Sequence, residues 1–257
     1  MTAPTRTPVV LLHALSLHAS MWDHHTQALR ARGHQVIAFD QRGFGTTPLG
    51  TAQPSLDVVA DDLARLLDDR GIDRAVLAGS SMGGYAAMAF LARHPGRTAA
   101  LALLSARATA DTPEARAQRL RFADLVEDAP TRATVIDQTT PLLVGATTRA
   151  RHPEILARLL ADARAADPKA LAWAQRAIAA RPDATATLRA TDVPAVVIAG
   201  DQDALVGYEE SRQTAEALPQ GHLVSIPDAG HLQPLEAPAA VADALHGLLD
   251  RIGDTPC

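Results

Sequence analysis

Gly79-Ser80-Ser81-Met82-Gly83 sets a serine hydroxyl between two glycines, at a point where the pattern changes from strand to helix. Residues 74–79 form a short apolar run, and residues 82–94 read as a helix stopped by Pro95. A sharp strand-to-helix turn of this kind lifts its serine off the sheet edge and exposes the oxygen. Side chains two residues before and after would collide in such a turn, which accounts for Gly79 and Gly83, while Gly84 lets the new helix pack closely. The turn aims the helix N-terminus at the reacting centre, so the Met82 N–H and the helix dipole are placed to stabilise negative charge there. Rival uses of a glycine-rich turn lack their own markers. The lysine of a G-x-x-x-x-G-K phosphate loop is missing, and so is the middle glycine of G-x-G-x-x-G, where Ser81 stands.

A serine hydroxyl is a poor nucleophile until a positioned base removes its proton, so a histidine is expected on a loop after a late strand. His231, in IPDAGHLQPLE, follows the last expected strand and precedes the final helix, on the same carboxyl edge as Ser81. His13 ends the first strand at that edge and reads as a histidine held by hydrogen bonds beneath the site. His24 and His25 are adjacent on a helix and point apart, and no H-x-x-x-H metal pair emerges. For the acid that orients the base, Gly200-Asp201-Gln202-Asp203 follows an apolar strand. Asp203 is preferred, with Asp201 the alternative that would instead bond to the turn backbone, and Asp111 third. The chain order Ser81, Asp203, His231 is the one expected of a nucleophile on a strand-to-helix turn.

These residues need a scaffold that brings strand ends together. Continuous apolar runs at 8–13, 35–40, 74–79, 98–105, 193–199 and 222–226 suit strands buried on both faces. Between them lie helical patterns: one N-capped by Ser20 and closed by Gly33, one capped by Ser55 and ending at Gly71, and others at about 209–218 and 237–249. The alternation specifies an α/β fold with a mainly parallel sheet of about six strands and helices on both faces. From 107 to 190 no strand pattern occurs, only helix-like stretches punctuated by prolines. We therefore expect a core of residues 1–106 and 191–257 and an inserted helical cap over 107–190.

Composition bounds the function. The chain has 257 residues, a formal charge of −5 and a single lysine, Lys169, which argues against nucleic-acid binding through phosphates. One cysteine, Cys257, excludes intrachain disulfides and thiolate metal clusters. The opening MTAPTRTPVVLLHAL has too short an apolar run to span a membrane and no signal-peptide pattern, so a soluble cytoplasmic protein is expected. Aromatics make up 3% of residues, which predicts an aliphatic pocket without stacking platforms.

Four stretches carry a resemblance to a known family: LLHALSLHASMW, DQRGFGTT, GSSMGG, and GDQDALV with AGHLQPLEAP. Together they resemble the α/β-hydrolase superfamily, in its small-esterase, enol-lactonase and cofactor-free perhydrolase branch. The first looks like that family's H-G-x-P segment, with Ala14 in place of the usual glycine, and implies that the Leu15 N–H joins Met82 in an oxyanion hole. The second implies structural roles for Asp40 and Arg42. The resemblance implies the α/β-hydrolase fold and acyl transfer to Ser81 from a small-molecule ester, thioester or lactone. No metal or organic cofactor is implied. Cap residues, Trp173 among the candidates, would wall an apolar pocket. The same triad also serves acyl transfer, perhydrolysis and C–C hydrolysis, and a hydrolase-like receptor with little turnover would carry it too.

Overall fold

The computed structural model describes residues 6–253, so Cys257 lies outside the described residues. Each apolar run forms a strand: β1 (Val9–Leu12), β2 (Val36–Phe39), β3 (Ala75–Ser80), β4 (Thr98–Leu104), β5 (Ala195–Gly200) and β6 (Gly221–Ile226). They pair in parallel in the order β2-β1-β3-β4-β5-β6. After β2 the chain crosses to the other side of β1 to lay down β3. The strand order reverses there, and a crevice opens beyond the carboxyl ends of β1 and β3.

Alternate side chains on each strand face opposite layers, so the sheet separates two apolar clusters. Val10, Leu12, Leu77 and Val197 belong to one layer, which also holds the buried faces of α2 (Leu56–Asp68) and α3 (Met82–Arg93). Val9, Leu11, Val76 and Ile198 share the other layer with Trp22 and Leu29, the latter on α1 (Asp23–Ala31). Between β4 and β5 come α4 (Pro113–Glu127), α5 (Ala129–Thr139), α6 (Ala146–Arg151), α7 (Pro153–Ala165), α8 (Pro168–Ala179) and α9 (Thr185–Arg189), with no strand among the described residues. Arg176 of α8 bridges Asp124 and Glu127 of α4 at 2.9 and 2.7 Å. The last two strands are followed by α10 (Tyr208–Ala217), then α11 (Gln233–Glu236) and α12 (Pro238–Ile252). Val241, Leu245, Leu248 and Leu249 of α12 complete the second layer.

Two local expectations meet different outcomes. Ser55 caps α2 as its sequence suggests, its hydroxyl accepting the Asp57 N–H at 3.1 Å. Ser20 is not a cap. It lies inside a 3-10 turn over Ala19–Trp22, α1 starts only at Asp23, and the Ser20 hydroxyl meets Arg158 at 3.2 Å. No helix of the described residues is long and apolar enough to cross a membrane.

Candidate active site

β3 runs directly into α3, and Ser81 between them takes φ +52° and ψ −112°, a conformation that costs energy for any residue with a Cβ. Its N–H is anchored to the Leu104 carbonyl at 2.8 Å. The glycines have steric reasons. A Cβ on Gly79 would lie 2.2 Å from the Gly83 carbonyl oxygen, and one on Gly83 would lie 2.2 Å from that of Leu12. So Gly83 is required by β1 next door, not by Gly79 alone. A Cβ on Gly84 would press on Ala106 at 2.5 Å.

The three residues singled out in order along the chain meet in space. The Ser81 hydroxyl lies 2.8 Å from His231 Nε2. His231 Nδ1 lies 3.0 Å from both carboxylate oxygens of Asp203. An Nδ1–H facing that carboxylate leaves Nε2 without a proton and able to accept one from the serine. His231 is 3% exposed, so the relay is screened from bulk water.

Asp203 has further donors. Its Oδ1 accepts the N–H groups of Leu205 and Val206 at 2.8 and 3.0 Å, and its Oδ2 accepts the Ser105 hydroxyl at 2.7 Å. Burial alone would favour the protonated acid, but the charge and hydrogen bond of His231, with the Val206 N–H and the Ser105 hydroxyl, outweigh it. They hold the carboxyl below its ordinary range. Asp201 is exposed, and the turn-bonding expected of it falls to Asp203 itself. Asp111 lies elsewhere, paired to Arg119 at 2.7 Å and Arg181 at 2.8 Å.

Sequence reasoning missed the groups that brace this relay. Ser105 follows β4 with φ +50°, and Gln233 donates to its oxygen and to the Gly230 carbonyl, each at 2.6 Å. Glu236 accepts four hydrogen bonds. They come from the N–H groups of Gly145 (2.7 Å), Gly230 (2.9 Å) and Leu232 (3.0 Å) and from the Thr148 hydroxyl (2.7 Å), so one carboxylate binds both flanks of His231 to the α6 region. The one sequence signal for it is an acid in the first turn of a helix, where such a side chain reaches back to free N–H groups.

His13 is buried beneath the site. Its Nε2 accepts the Gln41 N–H at 2.9 Å, which leaves Nδ1–H to donate to the Ala14 carbonyl at 2.8 Å. Burial pushes its pKa down to about 4, so it is a neutral structural link rather than a second base. Asp40 accepts the N–H groups of Ala19 and Thr46 at 2.7 and 3.0 Å, and Arg42 forks onto Asp62 at 2.9 and 2.8 Å. Leu15 lies in the turn that follows β1, in the wall of the same cavity as Ser81, and Met82 opens α3, where the first N–H groups have no intrahelical acceptor.

That cavity, about 400 Å³, lies between the sheet edge and the helices that follow β4. Leu171, Ile136 and Leu143 make it apolar as expected, but Tyr85 and Phe122 also line it, as do Arg107 and Arg119. Tyr85 and Phe122 add two aromatic rings to a wall that is otherwise mainly aliphatic, as composition led us to expect. Trp173 is not in the wall. It turns away on α8, its indole N–H bonded to the Ala52 carbonyl at 2.8 Å, while Leu171 and Gln175 of the same helix face the cavity.

Comparison with known proteins agrees with this architecture. Residues 7–238 match the family model described as the alpha/beta hydrolase fold. The chain is 31% identical to "Putative carbamate hydrolase RutD" of Variovorax paradoxus (strain S110) over 95% of its own length and 92% of that protein's. It superposes on a thermophilic esterase from Thermogutta terrifontis, solved with malate bound, with a TM-score of 0.91 and 35% identity, covering 97% of this chain and 92% of that one. For the enol-lactonase from Burkholderia xenovorans LB400 the TM-score is 0.86 and the identity 26%, over 97% and 94% of the two chains. A family match over nearly the whole chain, and a parallel sheet with a serine turn after its third strand, lead to one assignment: the chain belongs to the α/β-hydrolase family and is an enzyme of that family.

Proposed function

We propose that the chain is a serine hydrolase that cleaves a carboxylic ester, thioester or lactone of a small molecule through an acyl-enzyme on Ser81. The observation that carries this reading is the continuous relay from the Ser81 hydroxyl through both nitrogens of His231 to Asp203. Ser81 Oγ adds to the substrate carbonyl as His231 Nε2 takes its proton, and the carbonyl electron pair moves onto oxygen. The N–H groups of Leu15 and Met82 receive that oxyanion. Collapse expels the alcohol, thiol or ring oxygen, which takes the proton back from His231. Water, deprotonated by the same imidazole, then releases the acid. Asp203 holds the imidazole in the productive tautomer throughout and stays ionised.

The helices of residues 107–190 act in this reading as a cap whose apolar side chains select the acyl or alcohol group. Support for an ester-type bond also comes from the relatives, whose names include an esterase and an enol-lactonase at 35% and 26% identity. The test is hydrolysis of a graded series of p-nitrophenyl esters by wild type and Ser81→Ala. Loss of at least ~10⁴-fold in kcat is expected in the variant. Undiminished turnover would remove Ser81 from the mechanism, and covalent labelling of Ser81 without turnover of any ester would move the reading to acyl transfer or C–C hydrolysis.

A further inference from the structure

Resting on the hydrolase reading above, we propose that the preferred substrate carries a second, uncleaved carboxylate, which Arg107 and Arg119 hold while Ser81 attacks the ester or lactone carbonyl. In a chain of net charge −5, the cavity over Ser81 is lined by these two arginines and by no aspartate or glutamate. Their acidic partners stand behind the wall. Arg119 uses Nε on Asp111 at 2.7 Å and Nη1 on Gln175 at 3.2 Å, two of the five donors of a guanidinium. Arg107 uses Nη1 on Glu210 at 2.5 Å and Nη2 on the Leu205 carbonyl at 3.3 Å.

The charges of this cluster do not cancel. Arg107, Arg119 and Arg181 share Glu210 and Asp111, and Asp111 is claimed by both Arg119 and Arg181, so three guanidiniums face two carboxylates. Guanidinium does not lose its proton at working pH, and the Arg107 and Arg119 side chains stay 17% and 23% exposed, so a carboxylate bound there would offset a positive excess that water otherwise screens. A planar carboxylate matches the guanidinium fork better than a hydroxyl or amide does. The rest of the wall is hydrocarbon, Leu171, Ile136 and Phe122 among it, which fits a short aliphatic spacer between carboxylate and scissile carbonyl.

The test uses matched pairs: mono-p-nitrophenyl esters of glutaric, adipic, pimelic and suberic acids, each beside its neutral methyl-capped counterpart. Wild type is expected to favour the best anionic member on the order of tenfold in kcat/KM. Arg119→Met and Arg107→Met are expected to erase that ratio, and Arg212→Gln, an exposed arginine on α10, to leave it unchanged. Equal or inverted preference in an active wild type overturns the proposal, as does a ratio that survives both methionine variants in folded protein, judged by thermal melting. Calorimetry of Ser81→Ala with the free dicarboxylates separates the two readings. Binding that disappears in Ser81→Ala/Arg119→Met supports the anion site even if Ser81 proves unreactive, whereas no binding to a protein whose Ser81 is reactive refutes the anion site and leaves the hydrolase intact.

Discussion

A single side chain decides which nitrogen of His231 carries the proton. Asn at position 203 keeps the size but offers an amide that can donate, so Asp203→Asn favours the tautomer with its proton on Nε2. The expected outcome is a loss of about 10⁴-fold in kcat with little change in melting temperature, checked by ester hydrolysis and calorimetric scanning. Burial lowers the pKa of four other histidines, His13, His25, His34 and His246, and so ties stability to pH; the shift is large at the first two. Burial lowers the pKa of both His13 and His25 from 6.5 to about 4, His25 against the Trp22 ring and beside His24. Because the folded values lie below the unfolded ones, the unfolded chain takes up protons first. Each contribution is intact above pH 6.5 and is lost as pH falls toward 4, by roughly 3 kcal/mol per histidine. Urea unfolding across that window should show stability falling steeply with acid, and His25→Leu should make the fall distinctly shallower; a flat profile would mean that neither His13 nor His25 stays neutral.

Strands and loops show where local signals suffice. All six strands were legible within about two residues, because a parallel strand covered on both faces is a continuous apolar run whatever its neighbours are. Ser81, Asp203 and His231 were legible because each lies on a turn with local punctuation after such a run. Ser105 was not. Its hydroxyl reaches Asp203 98 residues on and accepts from Gln233 128 residues on, and neither link leaves a periodic trace. Glu236 is similar, joining α11 to Gly145 91 residues away. Glu236→Ala frees four donors at once, and we expect a loss of ~2–4 kcal/mol in urea unfolding together with a fall in kcat as the His231 loop loosens. Glycines on the same elements make a paired prediction. Gly83→Ala drives a Cβ into the Leu12 carbonyl and should cost about 3 kcal/mol or more, whereas Gly247→Ala, with open space on α12, should gain roughly 0.5–1 kcal/mol.

The whole molecule is a parallel sheet that presents a relay to a cavity closed by helices from the middle of the chain. Prolines and the absence of strand patterning marked those helices in the sequence, but not which of their faces line the cavity, since that depends on how α8 lies against α4 and the core. Trp173 and Leu171 are two residues apart and face opposite ways. The cavity sets selectivity in this account, so Ile136→Trp should lower kcat/KM for long acyl chains about tenfold more than for acetate, measured on the p-nitrophenyl series. The central claim, covalent chemistry at one serine, is tested most directly by intact-mass and peptide-mapped labelling with a fluorophosphonate. A single adduct on the peptide containing Ser81, absent from Ser81→Ala and accompanied by complete loss of ester hydrolysis, is the predicted result. An unlabelled, folded and hydrolytically active protein, or a label on another residue with activity retained in Ser81→Ala, would contradict it.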